Sequence, residues 1–166
     1  MRTRNVVLLA TGVVVLIGIL IALPLFLPER AMHVQEDLDR LGAPDDLTIH
    51  ATGTFEDGEP GHRVRGTIQV VEVNGTHHLR FIDYEQTQGP DVFVYLTEAT
   101  RWDRDTVESG LLVRIDGGAD GGESTKTGTF HQALPSDFDP TRYRGVAIWC
   151  DRFDVLFGSA VLTTPA

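Results

Sequence analysis

One cysteine stands out, because no other side chain in this sequence has as wide a chemical repertoire. Cys150 is the single cysteine among 166 residues. One thiol excludes an internal disulfide scaffold and a cysteine-rich zinc or iron–sulfur site. Two roles stay open for it: an inert packing group, as most buried cysteines are, or a redox-active or ligand-binding thiolate. Outside the cytoplasm an unpaired thiol would meet oxidants, so it would need shielding or a use.

The residues beside Cys150 predict how its side chain lies. The apolar run that ends at Cys150 has the length and composition of a strand. Alternation along a strand then places Ile148 and Cys150 on one face and Trp149 on the other. Arg152 would lower the pKa of the thiol if the two side chains approach each other, whereas Asp151 would oppose that change.

Six histidines offer imidazole ligands, but their spacing does not indicate a metal site. His77 and His78 are adjacent, so on a strand they point to opposite faces and cannot share one ion. A site made of His62, His131 and Cys150 would require the fold to bring three distant segments together. Lone histidines on strands and turns are mostly surface or hydrogen-bonded groups, so we predict no metal site. The six are His33, His50, His62, His77, His78 and His131.

The other motifs carry little catalytic chemistry. The glycine-rich run Asp116–Glu123 has carboxylates at short spacing, as in a calcium loop, but it lacks the EF-hand ligand order and is more simply a solvated loop. The sequence has neither a Gly-x-Ser-x-Gly nucleophile motif nor a phosphate-binding glycine loop. Asn74-Gly75-Thr76 is a glycosylation sequon, although its Asn-Gly pair is already explained as a hairpin turn.

Short β-prone runs separated by turn signals fill the chain from Leu47 onward. Eight such runs predict an all-β domain, an antiparallel sandwich or barrel of about eight strands. Asn74-Gly75 lies between two of them and favours a two-residue hairpin. The predicted strands are residues 49–55, 64–73, 77–83, 92–97, 111–116, 127–134, 146–150 and 153–162.

The N-terminal segment has the length of a membrane span. Val6–Leu27 contains 22 residues and no charge. A helix of that length is roughly 33 Å long, which matches a hydrocarbon core of about 30 Å. A cleaved signal peptide has a shorter apolar region and a small-residue cleavage site, so we predict an uncleaved anchor. Arg2 and Arg4 predict a cytoplasmic N-terminus, which would place the rest of a single-pass protein outside the cytoplasm.

The segment after the anchor links it to the β-domain. Ala31–Leu41 has apolar residues at helical spacing, and Gly42 and Pro44 would end the helix. We therefore predict a short juxtamembrane helix and a linker. The complete division is a cytoplasmic N-terminus over residues 1–5, a transmembrane anchor over 6–27, the helix and linker over 28–46, and the β-domain over 47–164.

Acidic residues dominate the part of the chain that follows the anchor. The whole chain has 24 acidic and 14 basic residues, and 15 of the acids are aspartate. Its single lysine is Lys126. Such a charge argues against general nucleic-acid binding, which needs basic side chains to neutralise phosphates. It favours a salt-rich environment, where the charge would be screened, over an ordinary acidic secreted domain.

The C-terminal run and several upstream segments together resemble one family. The run Val146–Leu162 (VAIWCDRFDVLFGSAVL) contains a Trp-Cys strand followed by Phe-Gly-x-Ala. It is similar to the closing signature of the DM-thirteen domain family, an extracellular β-rich module often found near DOMON domains. One departure is Gln132, since the family tends to have a tyrosine just before Leu-Pro. Further matching segments are Gly53-Thr54-Phe55, His62 with Gly66, Phe81, Gly89–Leu96, Leu134-Pro135, Asp139 and Tyr143.

The resemblance, which covers about Leu47 to Leu162, implies a redox role centred on Cys150. In the family the cysteine is proposed to act as a bare thiol or as a ligand to a prosthetic group such as haem. His62 and Trp149 would belong to the same cofactor site. The resemblance also implies a membrane or surface redox protein as partner. We expect an accessory electron-transfer or thiol-redox module rather than a stand-alone enzyme; the alternative is an adhesion or ligand-binding module with a structural cysteine.

Overall fold

A computed structural model describes residues 2–23, 30–36 and 47–165, with side chains from Gly12 onward. It contains two helices and ten strands, which we label in chain order. The helices are α1 (Arg2–Ala22) and α2 (Arg104–Glu108). The strands are β1 (Met32–Gln35), β2 (Leu47–Thr54), β3 (Glu56–Asp57), β4 (Val64–Val73), β5 (Thr76–Gln86), β6 (Val92–Thr97), β7 (Leu111–Val113), β8 (Lys126–Ala133), β9 (Gly145–Cys150) and β10 (Val155–Val161).

The strands form two separate five-stranded sheets. The first has the order β1-β8-β5-β4-β2, and the second has the order β3-β10-β9-β6-β7. Every neighbouring pair is antiparallel except β1 and β8, which run parallel. The predicted all-β class is confirmed. Because both sheets keep open edges, the barrel alternative is wrong.

The core lies between the two sheets and explains why they face each other. Inward residues of both sheets, such as Phe81 and Phe130 of the first and Ile148 and Val94 of the second, are almost fully buried in one apolar cluster. The rings of Phe81 and Phe130 are stacked with centroids 4.5 Å apart. Burial of so many aliphatic and aromatic side chains is the main force that holds the sheets together.

All eight predicted strands are present, with ends that shift by a few residues. The Asn74-Gly75 turn is confirmed: both residues have positive φ, 51° and 75°, as a two-residue hairpin of this kind requires. The sequence did not predict β3, α2 or β1. β3 is a two-residue strand, and α2 is a five-residue helix.

The predicted juxtamembrane helix is wrong where the structure describes it. Met32–Gln35 forms β1 and pairs with the edge of β8. Backbone hydrogen bonds from Met32 N to Thr125 O (2.8 Å) and from Glu36 N to Thr129 O (2.7 Å) extend the pairing. An open sheet edge offers unpaired backbone groups, and here they outweigh a weak helical pattern. Residues 37–46, the rest of this segment, lie outside the described residues.

The N-terminal helix α1 begins at Arg2, before the predicted span over residues 6–27, and ends at Ala22, inside that span. Across the described stretches of the chain, none of the helices is both long and apolar enough to cross a membrane. The predicted membrane span is therefore not supported here and stays a prediction. Residues 24–27, its predicted end, lie outside the described residues.

Candidate functional site

Cys150 is the last residue of β9, and its thiol is packed into the core. The residue is 1% exposed. Its neighbours across the sheet are Val92 on β6 and Val155 on β10. Its Sγ donates a hydrogen bond to the carbonyl oxygen of Pro90, at 3.1 Å. The alternation predicted from the sequence is confirmed, because Cys150 lies in the same cluster as Ile148.

The surroundings of Cys150 keep its thiol protonated. Burial raises the pKa of the thiol above its ordinary value, and the carboxylates of Asp91 and Asp151 add to that rise. Backbone hydrogen bonds at Phe153 and Arg152 act in the opposite direction but are weaker. The guanidinium of Arg152 pairs with Asp91, with 2.5 Å between Nε and Oδ2. The positive charge of Arg152 is therefore paired with the carboxylate of Asp91.

The segment Gly89–Asp91, which we call the cover, lies over the thiol. Asp151 N donates to Asp91 O at 2.9 Å, which ties the cover to the turn after β9. Gly89 is required at its position because a Cβ there would lie 2.6 Å from the ring of Phe157. Asp91 has a φ of 53°, a left-handed conformation that aspartate tolerates better than most residues. The cover is thus fixed from both sides.

His62 lies close to the cover but does not contact Cys150. Its ring packs on Phe157, with centroids 4.1 Å apart. Its backbone N–H donates to Glu59 O at 2.9 Å, which closes the turn before β4. The Nδ1 atom of His62 is buried and has no hydrogen-bond partner among the described residues. These contacts fit a side chain that anchors a turn.

Trp149 lies on the outer face of the second sheet, so the structure does not bring its ring to the thiol. It belongs to a smaller apolar cluster with Tyr95, Val107 and Ala147.

Tyr95 and Asp151 form a hydrogen-bonded pair beside this cluster. The Tyr95 hydroxyl donates to both carboxylate oxygens of Asp151 at 2.9 Å. Burial raises the pKa of both side chains. This pair was missed because its members lie 56 positions apart along the chain.

The residues around Cys150 do not fit a haem. An axial thiolate would need a deprotonated sulfur that faces an open space as wide as a macrocycle. Here the sulfur is buried, protonated and hydrogen-bonded to Pro90 O. Four cavities along the described residues have linings that do not include Cys150.

Three side chains that can bind a metal ion lie close together at the end of the sandwich opposite Cys150. His50 Nε2 lies 2.9 Å from Glu72 Oε2, and His77 Nε2 lies 3.7 Å from the same oxygen. All three ligand atoms lie within 4.8 Å of one another. We call this group the histidine cluster. The sequence analysis, which considered only His62, His131 and Cys150 as a combination, missed it.

The combination of His62, His131 and Cys150 is not formed. The ring of His131 lies on the outer face of the first sheet, 5.6 Å from the ring of His78, whereas Cys150 lies in the core between the sheets. The glycine-rich loop Asp116–Glu123 also does not gather its carboxylates. The histidine cluster is the one group of three or more metal-ligand side chains found among the described residues.

Comparison with known proteins gives one match. A family model described as "Electron transfer DM13" matches residues 54–162, almost all of the two-sheet domain. The search of curated proteins and the search of solved structures gave no match.

Proposed function

The chain belongs to the DM13 electron-transfer family, and from this premise we propose that it is an accessory electron-transfer domain displayed outside the cytoplasm on an N-terminal membrane anchor. The family match carries the proposal, since it spans both sheets and includes the Trp-Cys strand. A membrane or surface redox protein would deliver or accept the electrons.

Voltammetry of the purified full-length protein tests the electron-transfer proposal. We expect a reversible wave within the range of biological carriers, measured before and after treatment with a chelator. A protein that shows no wave in either condition would contradict electron transfer by this domain. A wave that survives in Cys150→Ser would support electron transfer but remove the cysteine from it.

The role of Cys150 in this proposal is that of a guarded thiol. A protonated, buried sulfur is a poor nucleophile, so Cys150 reacts when the cover opens. The exposed thiol then loses its proton to water and attacks a peroxide, which breaks the O–O bond, forms a sulfenic acid and releases hydroxide. The chain has no second cysteine to resolve this product, so an external thiol must reduce it.

Opening of the cover is measured by thiol labelling. We expect native Cys150 to react with an aromatic disulfide reagent at least a hundred times more slowly than in denaturant. Arg152→Gln removes the ion pair with Asp91 and should speed labelling several-fold. Arg142→Gln, which breaks an exposed ion pair with Glu98, is the matched control and should leave the rate unchanged. Equal rates in all three proteins would show that the Arg152–Asp91 pair does not hold the cover in place. A native rate as fast as the rate in denaturant would contradict a guarded thiol.

An adhesion or ligand-binding module is the second candidate. The burial of Cys150 and its hydrogen bond to Pro90 favour it, because both suit a structural cysteine. In that case neither the native protein nor Cys150→Ser would give a voltammetric wave, and the substitution would leave ligand binding unchanged.

The proposed anchor and topology have their own test. The uncharged run Val6–Leu27 and the arginines before it support the proposal. The full-length protein should stay in the membrane pellet after extraction with alkaline carbonate, and protease added outside the cell should digest its β-domain. A protein lacking residues 1–27 should appear in the soluble fraction. Recovery of the full-length chain as a soluble protein would contradict the anchor.

A further inference from the structure

The structure places two imidazoles and one carboxylate together at the end of the sandwich opposite Cys150. We infer that His50, Glu72 and His77 bind one divalent transition-metal ion, Cu²⁺ or Zn²⁺, with an open coordination position that faces the neighbouring cavity. This inference does not depend on the family or on Cys150.

The hairpin between β4 and β5 places two of the three ligands. Glu72 and His77 are direct cross-strand partners, so their side chains lie on the same face of the first sheet. The tight turn at Asn74-Gly75 fixes this register. A carboxylate and an imidazole are thereby held side by side on adjacent strands, which are among the more rigid supports for a site.

A β-bulge on β2 brings the third ligand. The pairing with β4 runs from Ile49–Val71 directly to Ala51–Val70, which leaves His50 as the extra residue. A bulge turns the side chain of the extra residue away from the regular alternation. His50 reaches Glu72 in this way, and its ring centroid lies 5.1 Å from that of His77.

The distances need only a small adjustment to suit one ion. Ligand atoms bound at about 2.1 Å in a tetrahedral site lie about 3.4 Å apart. The present separations from Glu72 Oε2, 2.9 and 3.7 Å, lie on either side of that value. All three side chains are between one-fifth and about one-third exposed, so their rotamers can adjust without disturbing the core.

The donor set selects the class of cation. Imidazole nitrogen suits zinc and copper, whereas calcium and magnesium prefer sites made of oxygen alone. Among the divalent first-row ions a site of this kind binds Cu²⁺ more tightly than Zn²⁺. Three protein ligands leave at least one position for water or an external ligand.

The space beside the cluster suits such a ligand. His50 lines a cavity of about 530 Å³, together with Tyr143, Arg144 and Thr163. Arg144 is the cationic residue of this lining, so an anion is the class of external ligand that the cavity would attract. On the other side, the ring of Phe138 lies 5.5 Å from that of His77 and limits its movement.

Titration of the full-length protein with Cu²⁺ and with Zn²⁺ tests the inference. We expect one ion per chain, tighter binding of Cu²⁺ than of Zn²⁺, and no competition from Ca²⁺ or Mg²⁺. The electron paramagnetic resonance of the Cu²⁺ form should show two imidazole nitrogens. Azide should change that spectrum by occupying the open position.

Single substitutions show whether these three residues hold the ion. His50→Gln, Glu72→Gln and His77→Gln should each weaken Cu²⁺ binding at least tenfold, while circular dichroism shows an unchanged fold. His33→Gln is the matched control because His33 is exposed on β1, away from the cluster. Binding well below one ion per chain, or equal affinity in all four variants, would overturn the site. A spectrum insensitive to azide would overturn the open position.

Discussion

The two ends of the sandwich differ in how they hold their reactive side chains. The thiol end, with Cys150 and its cover, is sealed: Cys150 is 1% exposed, and its Sγ donates a hydrogen bond to Pro90 O. The histidine end, with the histidine cluster and its cavity, is open to solvent. Cys150, which is the more nucleophilic side chain, is thus less accessible to solvent than the histidine cluster. Access, and not side-chain type alone, decides which end an external ligand can reach.

The largest effect should come from removing the ring that supports the cover. Phe157 is 4% exposed and contacts both Gly89 and His62. Phe157→Ala should lower the free energy of unfolding by about 3–5 kcal/mol, as measured by urea denaturation, and should speed thiol labelling. Phe153→Ala is the control, because Phe153 is 53% exposed in the turn after β9. Similar losses in both variants would mean that the thiol end is not tightly sealed.

A smaller loss should follow from removing the thiol itself. Cys150→Ala leaves the carbonyl oxygen of Pro90 without its donor and opens a small cavity. The expected cost is about 1–3 kcal/mol in the free energy of unfolding. Cys150→Ser keeps a donor to Pro90 and should cost less than Cys150→Ala. If Ser proves worse than Ala, the hydrogen bond contributes less than the apolar packing.

Acid should weaken the fold through a histidine pair that is separate from the cluster. Burial lowers the pKa of His78 and of His131 below 6.5, and Glu36 partly offsets this effect at His131. The unfolded chain then binds more protons than the native one, so stability is lost as pH falls below about 6.5. We expect the melting temperature to drop by a few degrees between pH 7.5 and 5.5. The drop should shrink in His131→Gln and persist in His33→Gln.

The smallest effect should appear at the histidine end. Glu72→Gln, without added metal, should change the free energy of unfolding by no more than about 0.5 kcal/mol. The carboxylate is 35% exposed, and its interactions with His50 and His77 are screened by water. A loss as large as that of Cys150→Ala would show that the cluster holds the fold together, and it would remove the contrast between the two ends.

The sequence predicts the features that depend on local pattern. Alternation places Cys150 and Trp149 on opposite faces, and Asn74-Gly75 fixes a hairpin; the structure confirms both. The same hairpin already implies that Glu72 faces His77, since each lies two positions from the turn. The partnership could therefore have been found by counting outward from the turn.

Features that depend on distant contacts could not be predicted. The cover over Cys150 comes from Pro90, 60 positions earlier in the chain. His50 reaches its partners only because a bulge on β2 shifts the register. β1 forms because β8 offers an open edge, although its own sequence has a helical pattern. In each of the three cases the structure depends on a partner that is distant in the sequence, and local sequence pattern does not reveal that partner.

The parallel pairing of β1 with β8 has a consequence for orientation. β1 begins opposite Lys126, and nearby Ser124 N donates to Val92 O, beside Cys150. The residues between α1 and β1, 23–31, span at most about 30 Å when fully extended. If α1 is embedded in a bilayer as we propose, the chain joins this anchor to the end of the sandwich that holds Cys150, at the start of β1.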